Sequence, residues 1–178
     1  EPQDLLPIKK QLKGLKALLA GNKSFLVFLC CGAALFELEH TMTVFFASPS
    51  WVAVGIDKRW YGLLSLSLNG AGLLGGLCAG ALIVKWGRTR TLTACWLASA
   101  VAGVAVWLLF GPVAVLISLP LLRFCTECYR PCEQLLKNER TGGIGRAVAI
   151  SAYNMAASCT AVFIGPILGA VSENQPKN

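Results

Sequence analysis

The sequence predicts an all-α membrane protein with five transmembrane helices, and its composition and hydropathy pattern support that fold class. Hydrophobic residues make up 55% of the 178 residues and charged residues only 14%, whereas a soluble domain carries about 25% charged residues. The apolar residues form five long runs, each close to the ~20 residues that a spanning helix needs. A soluble fold of this size cannot bury five helices that are apolar on every face. The runs also lack the two-residue alternation of a membrane barrel.

These five runs set the predicted domain organisation. The predicted spans cover residues 25–46, 61–84, 91–110, 113–136 and 147–171. A basic segment (1–24) precedes them and a polar tail (172–178) follows. No short apolar run with a cleavage site precedes the first span, so we predict no signal peptide. Because the chain begins with Glu1 rather than Met, we expect a fragment or a processed product.

The net charge of +7 is distributed unevenly about the spans. Eleven basic residues precede the first span or join spans two to three and four to five: Lys9, Lys10, Lys13, Lys16, Lys23, Lys85, Arg88, Arg90, Lys137, Arg140 and Arg146. The other side has only Lys58, Arg59 and Lys177. This asymmetry follows the positive-inside rule and predicts a multi-pass protein of the plasma or bacterial inner membrane with a cytoplasmic N-terminus. The asymmetry also argues against a nucleic-acid partner, because binding one would need the Lys and Arg side chains gathered on one face of the protein.

Ionisable residues inside the predicted spans occur only in spans one and four. They are Glu37, Glu39, His40, Arg123, Glu127, Arg130 and Glu133. Six full charges facing lipid would cost on the order of 15–20 kcal/mol on insertion scales. They must therefore face protein, water or each other, and such residues typically belong to an ion or substrate path.

Helical spacing groups these residues. Arg123, Glu127 and Arg130 share one stripe of the fourth span, while Glu37 and His40 share a face of the first. We predict a substrate and proton path formed by these five residues, with Glu37 and Arg123 deepest. The alternative is a structural ion-pair network in which Arg123, Glu127 and Arg130 neutralise one another. Glu39 is expected to point elsewhere, Glu133 to reach the interface, and His40 to act either as a proton relay or as a packing residue.

Eight cysteines lie inside the predicted spans, and Cys125, Cys128 and Cys132 share a helix face. A tetrahedral metal site needs a fourth ligand that this spacing does not supply. We interpret the cysteines as small packing residues and predict no metal, no cofactor and no enzymatic activity.

Glycine spacing predicts close helix packing. Gly72, Gly76 and Gly80 repeat every four residues in the second span, a pattern that lets helices approach closely in lipid. In the fifth span, Gly165 and Gly169 flank Pro166, which predicts a kink that is either static or a hinge.

Several stretches resemble the major facilitator superfamily of transporters. The stretch 80–90 is similar to the signature loop between the second and third helices of a six-helix half, although Val84 replaces the usual acid and Thr89 interrupts the basic pair. The stretch from Leu122 to Ala147 looks like helix ten, its loop and the start of helix eleven. Gly165-Pro166-x-x-Gly169 resembles the antiporter motif, and the basic lead-in resembles the central loop.

The resemblance implies a twelve-helix transporter of two halves, of which this chain would be helices seven to eleven; placement as helices one to five is the alternative. It implies a cytoplasmic gating loop formed by Gly80, Lys85, Gly87, Arg88 and Arg90. It also implies that the first and fourth spans line the substrate cavity.

The function that follows is secondary active transport of a small solute by alternating access, with protons as the expected coupling ion. Its expected partners are the solute, protons, the lipid bilayer and the remainder of the same transporter chain. A non-transporting scaffold or receptor with this fold is the alternative, and a membrane enzyme with a cysteine-bound metal is the third hypothesis.

Overall fold

A computed structural model describes residues 21, 23–108, 111–140 and 146–173, and its regular elements are all helices. Six α-helices follow one another: α1 (Lys23–His40), α2 (Ala47–Ala53), α3 (Tyr61–Trp86), α4 (Arg88–Leu108), α5 (Pro112–Glu139) and α6 (Arg146–Glu173). The all-α prediction is therefore confirmed. The segments 1–20 and 174–178, with most of the predicted basic segment and tail, lie outside the described residues, as do 109–110 and 141–145.

Five stretches are long and apolar enough to cross a membrane, as a multi-pass membrane protein requires. They cover Lys23–Phe45, Lys58–Trp86, Arg88–Val106, Pro112–Glu139 and Ala149–Ile167. The predicted spans agree with these stretches to within a few residues at most ends, because hydropathy and length fix a span even where its exact ends are uncertain.

The first span ends at Phe45, one residue from the predicted bound, but its regular α-helix already ends at His40. A π-helical turn, Thr41–Phe45, follows α1 directly, and the short helix α2 follows that turn. The amide of Phe46 donates to the carbonyl oxygen of Thr41 at 3.1 Å, which is the five-residue spacing of a π turn. Trp51 of α2 is buried and its ring lies 5.2 Å from that of Tyr61 at the start of α3, in a tilted arrangement, so this end of the bundle has its own apolar cluster.

Helix α5 is central because it packs along both α3 and α4, while α1 packs chiefly against α6. The tightest approach is at Gly75, where an added Cβ would overlap the carbonyl oxygen of Phe124 in α5. Gly72 faces the same helix. Such contacts between backbones are what small residues permit in a membrane bundle.

The predicted glycine stripe is only partly correct. Gly72 lies in the helix contact, but a Cβ on Gly76 or Gly80 would meet nothing within 4 Å in the described chain. The buried face of α3 instead follows Leu68, Gly72, Gly75 and Ala79. Steps of three and four keep residues on one side of a helix with 3.6 residues per turn, whereas repeated steps of four rotate away from it.

One end of the bundle, here called the basic end, is where α1, α4 and α6 begin and α3 and α5 end. Gly87 alone joins α3 to α4 and adopts a φ of 80°, a conformation that glycine reaches without steric cost. The buried Thr91 hydroxyl donates to the carbonyl oxygens of Gly87 and Leu82. These bonds close the turn between the two helices.

Candidate functional site

The two carboxylates of α1 point to different neighbours, and this decides the geometry of the site. Glu39, which is 2% exposed, faces α5, where its Oε1 accepts a hydrogen bond from Arg123 Nη1 at 2.7 Å. Glu37 instead faces α6, beside Gly165. The sequence interpretation grouped Glu37 with Arg123 and set Glu39 aside. The structure brings Arg123 to Glu39, because residues two apart on a helix point about 200° from each other.

Arg123 is the centre of four charged side chains, here called the charge network: Glu39, Arg123, Glu127 and Arg130. Arg123 Nη2 lies 3.4 Å from Glu127 Oε1, and Arg130 Nε lies 3.3 Å from Glu127 Oε2. The charges therefore alternate in sign from α1 along α5. The predicted stripe of Arg123, Glu127 and Arg130 does form ion pairs, and Glu39 joins it from the neighbouring helix.

Glu39 has a second donor four residues further along the chain, a pair that the sequence analysis did not name. The Thr43 hydroxyl lies 2.9 Å from both the Oε1 and the backbone carbonyl oxygen of Glu39. Thr43 belongs to the π turn, and π turns often occur at functional sites. The Arg123 guanidinium and the Thr43 hydroxyl both reach this carboxylate oxygen and fix its position.

Arg130 ends the network near the surface of the bundle. Its side chain is about half exposed, and its guanidinium carbon lies 4.8 Å from the centre of the Phe36 ring. A cation over an aromatic face is attracted by the ring quadrupole. This contact and the Glu127 pair hold Arg130 between α1 and α5.

An open groove of about 340 Å³ runs beside the network between α3 and α5. Its lining consists of Asn69, Gly72, Leu73, Gly76, Leu77, Arg123 and Glu127. An added Cβ on Gly72 would lie 3.1 Å from Arg123 Nε, so the missing side chain gives the guanidinium its room. Gly76, which contacts no other helix of the described chain, lines this groove. The groove combines one cation, one carboxylate and an amide with leucine surface.

Glu37 has neither an ion pair nor a hydrogen bond with any described residue. Its Oε1 lies 3.3 Å from where a Cβ of Gly165 would be, so glycine leaves space for the carboxylate. Pro166 follows inside α6, which continues to Glu173. The surroundings of Gly169 lie outside the description.

His40 is exposed and does not reach the charge network. Its ring packs edge-on against Phe45, with 5.7 Å between the ring centres. His40 therefore contacts an aromatic ring of the π turn and does not contact Arg123.

Glu133 does not extend to the interface as predicted. It is 3% exposed, and its Oε1 lies 2.8 Å from Lys137 Nζ. Lys137, predicted in the loop after the fourth span, is instead buried inside α5 and donates to Asn154 Oδ1 of α6 at 3.0 Å. The pair is buried because α6 covers this part of α5, a packing that hydropathy cannot reveal.

The residues of the predicted gating loop lie at the basic end. Arg88 begins α4 and forms an ion pair with Glu139 at the end of α5, which links two helix ends across the bundle. Lys85 and Arg90 are exposed, and no ion pair joins either of them to a described residue. The loop therefore makes its charged contact through Arg88 alone among the described side chains.

The cysteines of α5 face inward. Cys125, Cys128 and Cys132 are buried with Cys95 of α4 in one apolar cluster. In the described part of the chain, no group of three or more His, Cys, Asp or Glu side chains is arranged to hold a metal ion.

Comparison of the chain with protein-family models, with curated proteins and with solved structures finds no match.

Proposed function

We propose that this chain is part of a secondary active transporter of the major facilitator type, which moves a small solute across a cell membrane by alternating access. The observation that carries the proposal is the charge network between α1 and α5. Charges inside a span are costly and rare, and where they occur they usually belong to an ion or substrate path. The expected helix pair of the cavity, spans one and four, is also the pair that holds these charges.

The groove beside the network supports a solute with both polar and apolar parts. On the wall of the groove, Arg123 supplies a positively charged hydrogen-bond donor and Glu127 supplies a negatively charged hydrogen-bond acceptor. Leu73 and Leu77 supply apolar surface. Small-molecule sites commonly combine a few placed polar groups with apolar walls.

Glu37 is the proposed proton-binding residue. Glu39 is bound by Arg123 and Thr43, whereas Glu37 has no ion-pair or hydrogen-bond partner among the described residues. A proton on Glu37 would remove a charge from the α1–α6 contact beside Gly165 and Pro166. Proton binding would then favour one arrangement of these helices, as coupling to alternating access requires.

The basic end is proposed to face the cytoplasm, in accordance with the positive-inside rule. The exposed apolar faces of α3 and α6, which include Leu66, Leu77, Val162 and Phe163, are then available to lipid and to the remaining helices of a complete transporter. Two such halves would enclose the groove.

Proton-driven flux tests this proposal. The full-length protein is reconstituted in liposomes, an inward or outward pH gradient is applied, and a panel of sugars, amino acids, organic anions and lipophilic cations is followed. We expect Glu37→Gln and Arg123→Ala to abolish gradient-driven flux of the solute that the wild type moves. Asp57→Asn, a carboxylate in the exposed α2–α3 connection, is the control and should retain it. Unchanged flux in both site variants would contradict the assigned roles.

A further inference from the structure

A second cavity lies at the basic end, away from the charge network and its groove. It occupies about 540 Å³ between the first turns of α1 and α4 and the last turns of α5. None of its lining residues lines the groove beside Arg123. It is large enough for a ligand of drug size or for part of an acyl chain.

The walls of this cavity are aromatic and apolar. Phe25, Phe28, Trp96 and Tyr129 line it together with two leucines. Tyr129 is almost fully buried, and its hydroxyl has no hydrogen-bond partner among the described residues. This hydroxyl lies beside Gly32 of α1, and the aromatic and leucine side chains of the wall suit a hydrocarbon body.

The rim of the cavity is polar and carries positive charge. Arg140, directly after α5, contributes a formal positive charge to the lining, and no carboxylate is among the described residues that line the cavity. Its guanidinium carbon lies 4.8 Å from the centre of the Phe25 ring, which keeps the cation beside the opening. Ser24 and Thr89 add hydroxyl groups, and Thr89 lies in the first turn of α4, where the helix dipole favours an anion.

The rim lies at the level where the spans end. Residues at span ends lie among the lipid headgroups, and basic pockets between transmembrane helices are a recognised way to bind anionic headgroups. We propose that this cavity binds an anionic phospholipid of the surrounding leaflet, with the phosphate at Arg140 and part of one acyl chain among the aromatic residues.

Quenching of tryptophan fluorescence tests the proposal. The full-length protein is placed in nanodiscs of phosphatidylcholine, and phosphatidylglycerol with brominated acyl chains is added in increasing amounts. The contribution of Trp96 to the fluorescence is the part that is lost in the Trp96→Phe variant. We expect the brominated phosphatidylglycerol to quench this contribution in a saturable manner. Phosphatidylcholine with the same brominated chains should quench this contribution only in proportion to its amount. Equal, non-saturable quenching by both lipids would overturn the proposal.

Two kinds of variant separate charge from shape. Arg140→Gln should weaken phosphatidylglycerol binding about fivefold, since one cation near the surface contributes ~1 kcal/mol. Arg59→Gln is the matched control, because Arg59 also lies over an aromatic ring, Trp60, and should leave binding unchanged. Cys31→Trp fills the cavity and should abolish binding, whereas Cys159→Trp on α6 should not. Wild-type binding by both Arg140→Gln and Cys31→Trp would overturn the proposal.

A soluble organic anion also combines a negative charge with an apolar body. A competition experiment therefore distinguishes such an anion from the proposed phospholipid. Added 2-naphthoate should not displace brominated phosphatidylglycerol from the nanodisc-embedded protein. Quenching that naphthoate reverses, together with retention of naphthoate by lipid-free protein in detergent, would assign the cavity to soluble anions and overturn the lipid proposal. Neither result depends on solute transport.

Discussion

Glu133 and Lys137 form an ion pair that is almost fully buried, and at the residue scale this pair differs from the others in α5. Their side chains are 4% and 5% exposed, whereas those of Arg88 and Glu139 are 34% and 54% exposed. A buried charge that loses its partner keeps its desolvation cost without the compensating attraction. An exposed pair already shares its charge with water.

Removing one member of the buried pair should therefore destabilise the bundle. We expect Glu133→Gln to lower the free energy of unfolding by about 3–5 kcal/mol, because Lys137 would keep only Asn154 as a described partner. Thermal unfolding in detergent, followed by circular dichroism, measures the change.

The control is Glu139→Gln, which breaks the more exposed pair and should cost less than about 1 kcal/mol. The double variant Glu133→Leu with Lys137→Met should recover most of the stability that Glu133→Gln loses, since apolar replacement of a whole pair is often neutral. Equal stability of the two single variants would contradict the buried arrangement.

At the scale of elements, the α3–α5 contact depends on Gly75 and not on the glycine that follows it. Gly75→Ala would place a Cβ against the backbone carbonyl of Phe124, and a backbone atom cannot move aside as a side-chain end can. We expect this variant to lower stability by about 1–3 kcal/mol, the usual cost of overpacking. Its melting temperature in detergent is the measurement.

Gly76→Ala is a matched control one residue away. Its added Cβ meets nothing within 4 Å in the described chain, so we expect a change within about 0.5 kcal/mol. The two variants differ only in which side of α3 carries the methyl group. A larger loss in Gly76→Ala than in Gly75→Ala would contradict the helix rotation described here.

The same rotation explains how far sequence reasoning could reach. Run length and hydropathy predict the five spans, because lipid demands apolar residues along a whole helix. They do not predict which face of each helix packs against a neighbouring helix, since the faces toward lipid and the faces toward other helices are both apolar. The choice of Glu39 over Glu37 as the partner of Arg123, and of Gly75 over Gly76 as the contact, both depend on that missing information.

Some pairings were within reach of the sequence. The stripe of Arg123, Glu127 and Arg130 follows from steps of three and four on one helix. Contacts between distant segments, such as Lys137 with Asn154 or Arg88 with Glu139, depend on helix neighbours that no local pattern specifies. The contact of Thr43 with Glu39 also spans four residues, the spacing at which a threonine hydroxyl bonds back along a regular helix.

At the scale of the whole molecule, the orientation proposed from the basic residues can be measured without mutation. Lys58 and Lys85 are exposed at opposite ends of α3. A membrane-impermeant amine reagent applied to right-side-out and to inverted vesicles, followed by mass spectrometry, should label Lys58 from outside and Lys85 from the cytoplasmic side. Labelling of both from one side would contradict a membrane-spanning α3.

The whole-molecule account assigns different roles to two carboxylates of one helix. Glu39 is part of the charge network, and Glu37 is proposed to bind the proton that couples solute movement to the gradient. Loss of Glu37 should then remove coupling but leave the pathway, whereas loss of Arg123 should damage the pathway itself.

The most direct test compares two kinds of transport by Glu37→Gln protein in liposomes. One is accumulation of the solute driven by a pH gradient, and the other is exchange of labelled for unlabelled solute at equal pH. The account predicts that accumulation is lost while exchange persists, and that Arg123→Ala loses both. Gradient-driven accumulation at the wild-type rate by Glu37→Gln would contradict it.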